Sequence, residues 1–363
     1  MTDIAMPYSV EALTNRDSFS PFVSVVVPFH NARKTIGPLL NSLLNQAYPK
    51  EKFEIILVDD GSNDGTVSEL NKLLSEIDSP KVQIFQNEIK KGPANARNKG
   101  IIESRGEIVA LTDSDTIPDV SWLENIVRGF DGEDVGGVRG ETTTDNYVLF
   151  PVRMAPLDMK NGYKTCNMAY KRETLFRVGL FDEKFRKPFG EDGDLAHRIL
   201  DLGLKIADAP TAKVLHPIKK RTLRQVVADA MLRKYDVLYF YKHPKDARKY
   251  GERFMRPILT VSRNIGLSIA GLLLFLYAVL AIISLAFGFI QAFLFELLVP
   301  FGLIGLAVLF FALFGYRKLA IGIAPESIPQ SERLACAIAV VVYYFTTILA
   351  RLLGSLEFRV LMV

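Results

Sequence analysis

Apolar runs alternate with segments of helical spacing through the first third of the chain. The runs at 23–29 (VSVVVPF) and 53–58 (FEIILV) are continuous and rich in branched residues, as in strands buried on both faces of a parallel sheet. Between them, Leu and Ile recur at helical spacing from 36 to 44. The pattern continues with a helix ending near Ile77, a strand VQIFQN, a helix ANARNKGIIES and a strand EIVALTD. We therefore predict an α/β fold with a doubly wound, mostly parallel sheet.

Three long runs without Lys, Arg, Asp or Glu follow in the last third of the chain. They cover 32 residues from Asn264 to Phe295, 20 from Leu297 to Tyr316 and 17 from Leu334 to Ala350. A helix that spans a bilayer needs roughly 17–25 mainly apolar residues. We therefore expect a membrane domain at 264–354, and core helices of a large globular domain are the alternative. The expected transmembrane helices are 264–288, 294–316 and 333–353.

Basic residues flank these runs on one side of the expected membrane. They are Arg253, Arg256, Arg263, Arg317, Lys318 and Arg333. Because positive flanks stay in the cytoplasm, the large N-terminal part is expected there as well. The first 20 residues lack a basic segment followed by an apolar core, so no signal peptide is expected. We expect an integral membrane protein of the plasma membrane of a bacterial or archaeal cell.

The segments around these domains also have characteristic compositions. Residues 1–21 are polar and predict a flexible N-terminal tail. Residues 221–263 are rich in Arg, Lys and Tyr and predict basic amphipathic helices in the headgroup region of membrane lipids, with packing on the N-terminal domain as the alternative. A net charge of only +4 argues against a nucleic-acid partner. The two cysteines, Cys166 and Cys336, predict no disulfide framework.

Carboxylates follow two of the predicted strands. Asp59 and Asp60 end one strand, and Asp113 and Asp115 follow another. Acids one residue apart lie on the same side of an extended segment and repel unless a cation lies between them, and Mg²⁺ or Mn²⁺ fits oxygen ligands of this kind. For the first pair, capping of an ordinary loop is the alternative. The basic loop KKGPANARNKG, which contains Arg97, suits phosphate oxygens, or is a solvated face.

A third acidic cluster opens an amphipathic helix at GEDGDLAHRI. It contains Glu191, Asp192 and Asp194. The apolar face of this helix is predicted to consist of Leu195, Ile199 and Leu202. Acids at a helix N-terminus interact favourably with the helix dipole, so capping explains the cluster simply, whereas one of them could instead take a proton from an attacking hydroxyl. His216 is a candidate metal ligand, with a merely packed or exposed His as the alternative.

Taken together, these segments resemble the family 2 inverting glycosyltransferases with the GT-A fold. The motifs, in chain order, are VVVPFHNA, LVDDGSNDGT, GPANARNKGI, LTDSD, CNMAYKRETLFRVGLFDE and GEDGDLAHRI. The resemblance covers about residues 22–220 and implies a catalytic domain there that uses a nucleoside-diphosphate sugar donor. PFHNA departs from many members, which carry an acid after the Asn. The residues that the resemblance assigns to the donor are Pro28, Asn31, Asp59, Asp60, Arg97 and Asp113.

The resemblance also implies roles in catalysis and in metal binding. The implied ligands of Mg²⁺ or Mn²⁺ are Asp115, Asp113 and His216. The implied catalytic pair is Glu191 and Asp192, with Asp192 as the general base. The implied acceptor-side residues are Asn167, which precedes Met168, and Asp194.

The expected function is transfer of a sugar, with inversion, to a hydroxyl acceptor. A domain held against the cytoplasmic membrane face favours a lipid or a lipid-linked saccharide as the acceptor. A polysaccharide synthase subunit that elongates and exports a polymer is the runner-up, and a homo-oligomer could then form the channel. A third interpretation is an inactive membrane-anchored binding or scaffold protein. The presence of every acid that the chemistry needs argues against this interpretation.

Overall fold

The computed structural model describes most of the N-terminal two thirds of the chain and part of its C-terminal end. The described residues are 20–75, 77–144, 162–217, 222–244, 342, 346, 347, 349–351 and 353–358. They belong to two units, the first comprising the described residues up to 217 and the second those from 222 onward. Nearly all of the predicted tail, the second half of the predicted interfacial segment and the predicted helices 264–288 and 294–316 lie outside the described residues, as does most of 333–353. Among the helices of the described part, none has the length and apolar character needed to cross a membrane.

The first half of the first unit alternates strands and helices, as the sequence predicts. Its elements are β1 (Val23–Phe29), α1 (Ile36–Leu44), β2 (Phe53–Asp59), α2 (Thr66–Leu74), β3 (Lys81–Gln86), α3 (Pro93–Glu103) and β4 (Ile108–Leu111). The four strands pair in parallel in the order β3-β2-β1-β4. The predicted second helix was too long, because α2 ends at Leu74 and not near Ile77.

The second half of this unit adds antiparallel strands. Its elements are β5 (Ile117–Pro118), α4 (Trp122–Arg128), β6 (Val135–Thr143), β7 (Met168–Lys171), α5 (Arg172–Arg177), α6 (Glu191–Asp201) and β8 (Lys205–Leu215). The eight described strands form one sheet in the order β3-β2-β1-β4-β7-β6-β8-β5. Within it, β7 is antiparallel to both β4 and β6, β6 and β8 are parallel, and β5 is antiparallel to β8. The sheet is therefore mixed, with four parallel pairings among seven.

The sheet is covered by helices on both faces. Alternate residues of β1 point to opposite sides, so that Val25 belongs to the apolar cluster that contains α1 and α4, and Val26 to the cluster that contains α3 and α6. Both side chains are fully buried. Burial on both faces explains why the strand appears in the sequence as a continuous apolar run rather than an alternating one.

The amino ends of β1 and β2 are held by a buried carboxylate. Ser24 pairs with Glu54 in the register of the two strands, and its hydroxyl donates to Glu54 Oε1 at 2.7 Å. The Arg105 backbone N–H and guanidinium donate to the same carboxylate. The Glu54 side chain is 0% exposed, so this charge is stabilised by hydrogen bonds and an ion pair rather than by water.

The second unit is described through two helices and part of a third helical segment. Helix α7 (Leu223–Met231) begins at Thr222, which forms a capping box with Gln225. Helix α8 (Lys234–Lys242) follows, and its Asp236 accepts hydrogen bonds from the Arg351 guanidinium at 2.6 and 2.9 Å. Arg351 lies within the predicted third span, so the structure places this cation in an ion pair with the second unit's own helix.

Candidate active site

The loops after β1 and β2 lie side by side at the carboxyl edge of the sheet. Asn31 adopts a left-handed backbone with φ of 52°, and its side-chain oxygen accepts from the Asn63 backbone N–H at 2.9 Å. Asp59 ends β2 and accepts from the Ser62 N–H. Pro28 is buried in β1, one residue before its end. The structure therefore brings these three predicted donor residues to adjacent strand ends, where parallel folds bind ligands.

Asp60 is committed to holding the next loop. Its carboxylate accepts from the Asn87 side chain at 3.1 Å and from the Lys91 and Gly92 backbone N–H groups at 2.8 Å each. Gly92 has φ of 106°, and a Cβ there would lie 2.5 Å from the Arg186 carbonyl oxygen, so only glycine fits this approach. Asp60 thus positions the start of α3, and the structure gives its carboxylate no free oxygen.

The turn after β4 presents the two acids of the DSD sequence. The Thr116 hydroxyl donates to the Asp113 carbonyl oxygen at 2.8 Å and lies 2.7 Å from the Thr112 hydroxyl, which also contacts the Cys166 carbonyl. Both threonines are buried. This support leaves the side chains of Asp113 and Asp115 partly exposed, as carboxylates that receive a ligand must be.

His216 lies beside the same acids because of how the last strands pair. Ile117 of β5 is opposite Leu215 of β8, and the His216 backbone N–H donates to Thr143 at the end of β6. This register places His216 Nε2 at 3.7 Å from Asp115 Oδ1. The prediction that His216 accompanies the acids is consistent with this geometry, although the two-residue strand that creates it was not predicted.

Asp113, Asp115 and His216 form a group that fits a divalent cation. One ligand atom from each residue lies within 4.8 Å of the others, and no other group of this kind occurs among the described residues. Two carboxylate oxygens and an imidazole nitrogen suit Mn²⁺, and the carboxylates suit Mg²⁺. These are the three ligands that the resemblance implied.

Arg97 lies inside the site, where it joins two of its parts. Its Nη2 donates to Asp113 Oδ1 at 3.0 Å and its Nη1 to Glu191 Oε1 at 2.8 Å. Arg97 is only 3% exposed. Burial lowers the pKa of the guanidinium, but the two carboxylates raise this pKa by more, so Arg97 stays charged. Sequence reasoning placed Arg97 with the basic loop that faces phosphate and missed these contacts.

Helix α6 brings the predicted base to this edge. It begins after Gly190, whose φ of 92° is left-handed, and the Asp192 carboxylate accepts from the Gly193 N–H at 2.8 Å. Burial raises the pKa of Asp192, and the neighbouring Asp113 raises it further. Burial also raises the pKa of Glu191, as does the charge of Asp192. A carboxylate with a raised pKa is better matched to accepting a proton near neutral pH.

The two predicted acceptor-side residues are occupied in packing. Asn167 is 1% exposed, accepts from the Trp122 indole N–H and donates to the carbonyl oxygens of Glu141 and Ala212. Asp194 is fully buried and accepts from Arg198 on the same helix. The structure therefore does not bring either side chain to the exposed part of the site.

The predicted apolar face of α6 was wrong in one residue. Leu202 lies beyond the end of the helix and is partly exposed.

Comparison with known proteins identifies relatives with this sequence pattern. The sequence model of the family described as Glycosyl transferase family 2 matches residues 24–187. Glycosyltransferase AglE of Haloferax volcanii is 31% identical over 210 residues, which are 55% of this chain and 68% of AglE. The probable glycosyltransferase YdaM of Bacillus subtilis is 29% identical over 211 residues, which are 53% of this chain and 50% of YdaM.

The same fold occurs in a solved structure. The mannosyltransferase PcManGT from Pyrobaculum calidifontis, determined in complex with GDP-Man and Mn²⁺, has a TM-score of 0.57 and is 22% identical. The match covers 91% of this chain and 88% of PcManGT. At this identity the likeness concerns the fold, a mixed α/β sheet of the GT-A type. The family match and the similarity to AglE together show that the chain belongs to the family 2 glycosyltransferases.

Proposed function

We propose that this glycosyltransferase moves a sugar, with inversion, from a nucleoside-diphosphate sugar to a hydroxyl of a lipid or lipid-linked saccharide at the cytoplasmic face of a membrane. The observation that carries the proposal is the arrangement at the carboxyl edge of the sheet. The cation-binding group contains Asp113, which Arg97 joins to Glu191, the residue that precedes the half-buried Asp192. An inverting transfer needs these two kinds of group, one for the leaving diphosphate and one for the attacking hydroxyl.

The residues of the chain divide the work of the reaction. Asp192 accepts the proton of the acceptor hydroxyl, and its raised pKa makes it a stronger base than an exposed aspartate. The hydroxyl oxygen then attacks the anomeric carbon on the face opposite the diphosphate, so the configuration inverts. A divalent ion held by Asp113, Asp115 and His216 would neutralise the charge of the departing diphosphate.

The donor class is supported by the loops and by the related structure. Asn31 and the buried Asp59 lie at adjacent strand ends, and the backbone and side-chain groups of these loops can bind a base and a ribose. PcManGT, which has this fold, is complexed with GDP-Man and Mn²⁺. A nucleoside-diphosphate sugar with Mg²⁺ or Mn²⁺ is therefore the donor that we assign to this chain.

The acceptor class and the location are inferred from the sequence beyond the catalytic domain. Runs of 32 and 20 uncharged residues with basic flanks predict membrane spans next to a basic, Tyr-rich segment. An active site tethered to the bilayer in this way meets lipid-borne acceptors at a high local concentration.

The proposal is tested with membranes that contain the full chain. They are incubated with a panel of labelled sugar nucleotides, with and without EDTA, and then extracted with organic solvent. We expect metal-dependent label in the lipid phase. Label in a large water-soluble polymer would instead favour a polysaccharide synthase, and no metal-dependent transfer from any donor would refute the proposal.

A pair of variants tests the role of the base in the same assay. Asp192→Asn is expected to lower the transfer rate by about 10²–10⁴-fold, the usual contribution of a general base, while donor binding stays nearly unchanged. Asp201→Asn is the matched control, because Asp201 is an exposed acid at the other end of α6. Transfer by the Asp192 variant at the rate of the control would remove Asp192 from the mechanism.

A further inference from the structure

Arg97 serves two carboxylates that belong to different parts of the site. Asp113 lies in the turn after β4 and belongs to the cation-binding group, whereas Glu191 is the first residue of α6 and precedes the proposed base. One buried guanidinium therefore joins the donor side to the acceptor side. Arg97 and Glu191 are almost fully buried, so Glu191 is held mainly by this guanidinium, whereas the Asp113 side chain is 31% exposed and is also solvated by water.

The contacts around Arg97 are not saturated. Within the described part of the chain, Arg97 Nε and Glu191 Oε2 are both buried and have no hydrogen-bond partner. Among these residues, Glu191 therefore accepts hydrogen bonds with only one of its two carboxylate oxygens, and the Nε–H group of Arg97 donates no hydrogen bond. A guanidinium in this position can strengthen its bond to one carboxylate when the other turns away, since buried donors gain free energy by finding a partner.

We propose that Arg97 is a positioning residue shared by the two sides of the site, so that Asp113 and Glu191 compete for it and cation binding at Asp113 leaves Arg97 to hold Glu191. The first turn of α6, and Asp192 with it, is then fixed when the donor side is filled. The inference rests on the proposed function, because it assigns an order to the two halves of that reaction. Fixing a base matters because a misplacement of about 1 Å can cost about 10²-fold in rate.

The competition can be measured by cation binding alone. In the full chain, Glu191→Gln removes the charge that opposes Arg97 on the acceptor side but keeps an oxygen at the same place. Arg97 then interacts more strongly with Asp113, so we expect Mn²⁺ to bind about fivefold or more weakly, as for a coupling between two sites. The measurement is a titration with Mn²⁺ followed by electron paramagnetic resonance, at pH 8 and without nucleotide.

A second substitution is expected to reverse this loss. The double variant Arg97→Gln with Glu191→Gln has no guanidinium to oppose the cation, and its two neutral amides replace both members of the buried ion pair. We expect its Mn²⁺ affinity to equal or exceed that of the unchanged chain. Glu191→Gln without a loss of affinity, or a double variant as weak as the single one, would overturn the proposal, and so would a lack of Mn²⁺ binding by the unchanged chain.

Asp194→Asn is the matched control for the cation titration. Asp194 lies in the same first turn of α6 and is paired with Arg198, which does not bond to the cation-binding group in the described residues. The control loses one carboxylate charge, as Glu191→Gln does, and we expect its Mn²⁺ affinity to change by no more than about twofold. An equal loss in both variants would mean that net charge alone is responsible and would also overturn the proposal. Because no sugar donor is present, these outcomes are independent of whether the chain transfers a sugar.

Discussion

Replacement of Glu54 by Gln tests whether the buried Glu54 carboxylate stabilises the sheet at the amino ends of β1 and β2, away from the site. The Glu54 carboxylate accepts from the Ser24 hydroxyl at 2.7 Å and from the Arg105 N–H at 3.0 Å, and its second oxygen pairs with the Arg105 guanidinium at 2.8 Å. Gln retains one acceptor oxygen but turns an amide N–H₂ toward the guanidinium. The substitution therefore removes the ion pair while it preserves the volume of the side chain.

The size of the loss follows from the burial of Glu54. A hydrogen bond to a charged group contributes about 1.5–3 kcal/mol. Because the Arg105 side chain is 58% exposed, water solvates the freed guanidinium, and the cost stays below that of breaking a fully buried pair. We expect the free energy of unfolding to fall by about 2–4 kcal/mol, which lowers the melting temperature by about 5–15 °C in a unit of this size.

The dependence of this loss on pH is a second measure. Burial raises the pKa of Glu54, but the bonds from Ser24 and Arg105 lower this pKa by more, so its pKa lies below the ordinary value. A carboxyl with a lowered folded-state pKa contributes stability above its unfolded pKa and loses this contribution as the pH falls through the folded-state value. The difference between the unchanged protein and Glu54→Gln should therefore be largest at neutral pH and shrink in acid.

Thermal and urea unfolding between pH 3 and 7 measure these differences. Glu51→Gln is the matched control, because Glu51 is exposed in a short turn just before β2, and we expect it to change the unfolding free energy by less than about 0.5 kcal/mol. The donor affinity of Glu54→Gln should stay unchanged, since Glu54 lies at the amino end of β2. A loss as small as that of the control, or one that grows in acid, would refute this reasoning.

Three further predictions concern the site. His216→Ala should raise the Mn²⁺ concentration for half-maximal transfer by about 10-fold or more, measured by titration of the full chain with Mn²⁺. The raised pKa of Asp192 should place the acid limb of the pH–kcat profile above about pH 4, the ordinary range of aspartate, and an acid limb below it would contradict the role of burial. Gly92→Ala should lower the unfolding free energy by about 1–3 kcal/mol in urea, because its Cβ would meet the Arg186 carbonyl.

The parallel half of the sheet could be predicted from the sequence because its strands are buried on both faces. Every residue of β1 and β2 is buried, and the sequence indicates this because only Ser24, Glu54 and the final Asp59 interrupt the two apolar runs. In β8, by contrast, exposed positions recur along the strand, and the register with β6 shifts twice. β5 consists of two residues. Neither strand carries a periodic signal that sequence reasoning can detect.

The candidate site shows the same division between local and distant information. The acids after β2 and β4 were predictable, because they stand next to strongly patterned strands. The partners of Arg97 were not, since Asp113 and Glu191 lie 16 and 94 residues away along the chain. A buried charged residue such as Arg97 can be recognised only when its counter-ions are known. The neighbouring Lys residues in the sequence indicated an exposed basic loop instead.

The two halves of the fold also divide the chemistry. Asn31 follows β1 and Asp59 ends β2, both in the parallel half, whereas α6 contains Asp192 and β8 leads to His216 after the chain has crossed to the antiparallel half. The turn that holds Asp113 and Asp115 follows β4, the strand at which the two halves join. Substitutions in the loops after β1 and β2 should therefore act on the KM for the donor, and those in α6 on kcat. Substitution of Asp113 or Arg97 should change both, because Arg97 bonds to Asp113 in the turn after β4 and to Glu191 in α6.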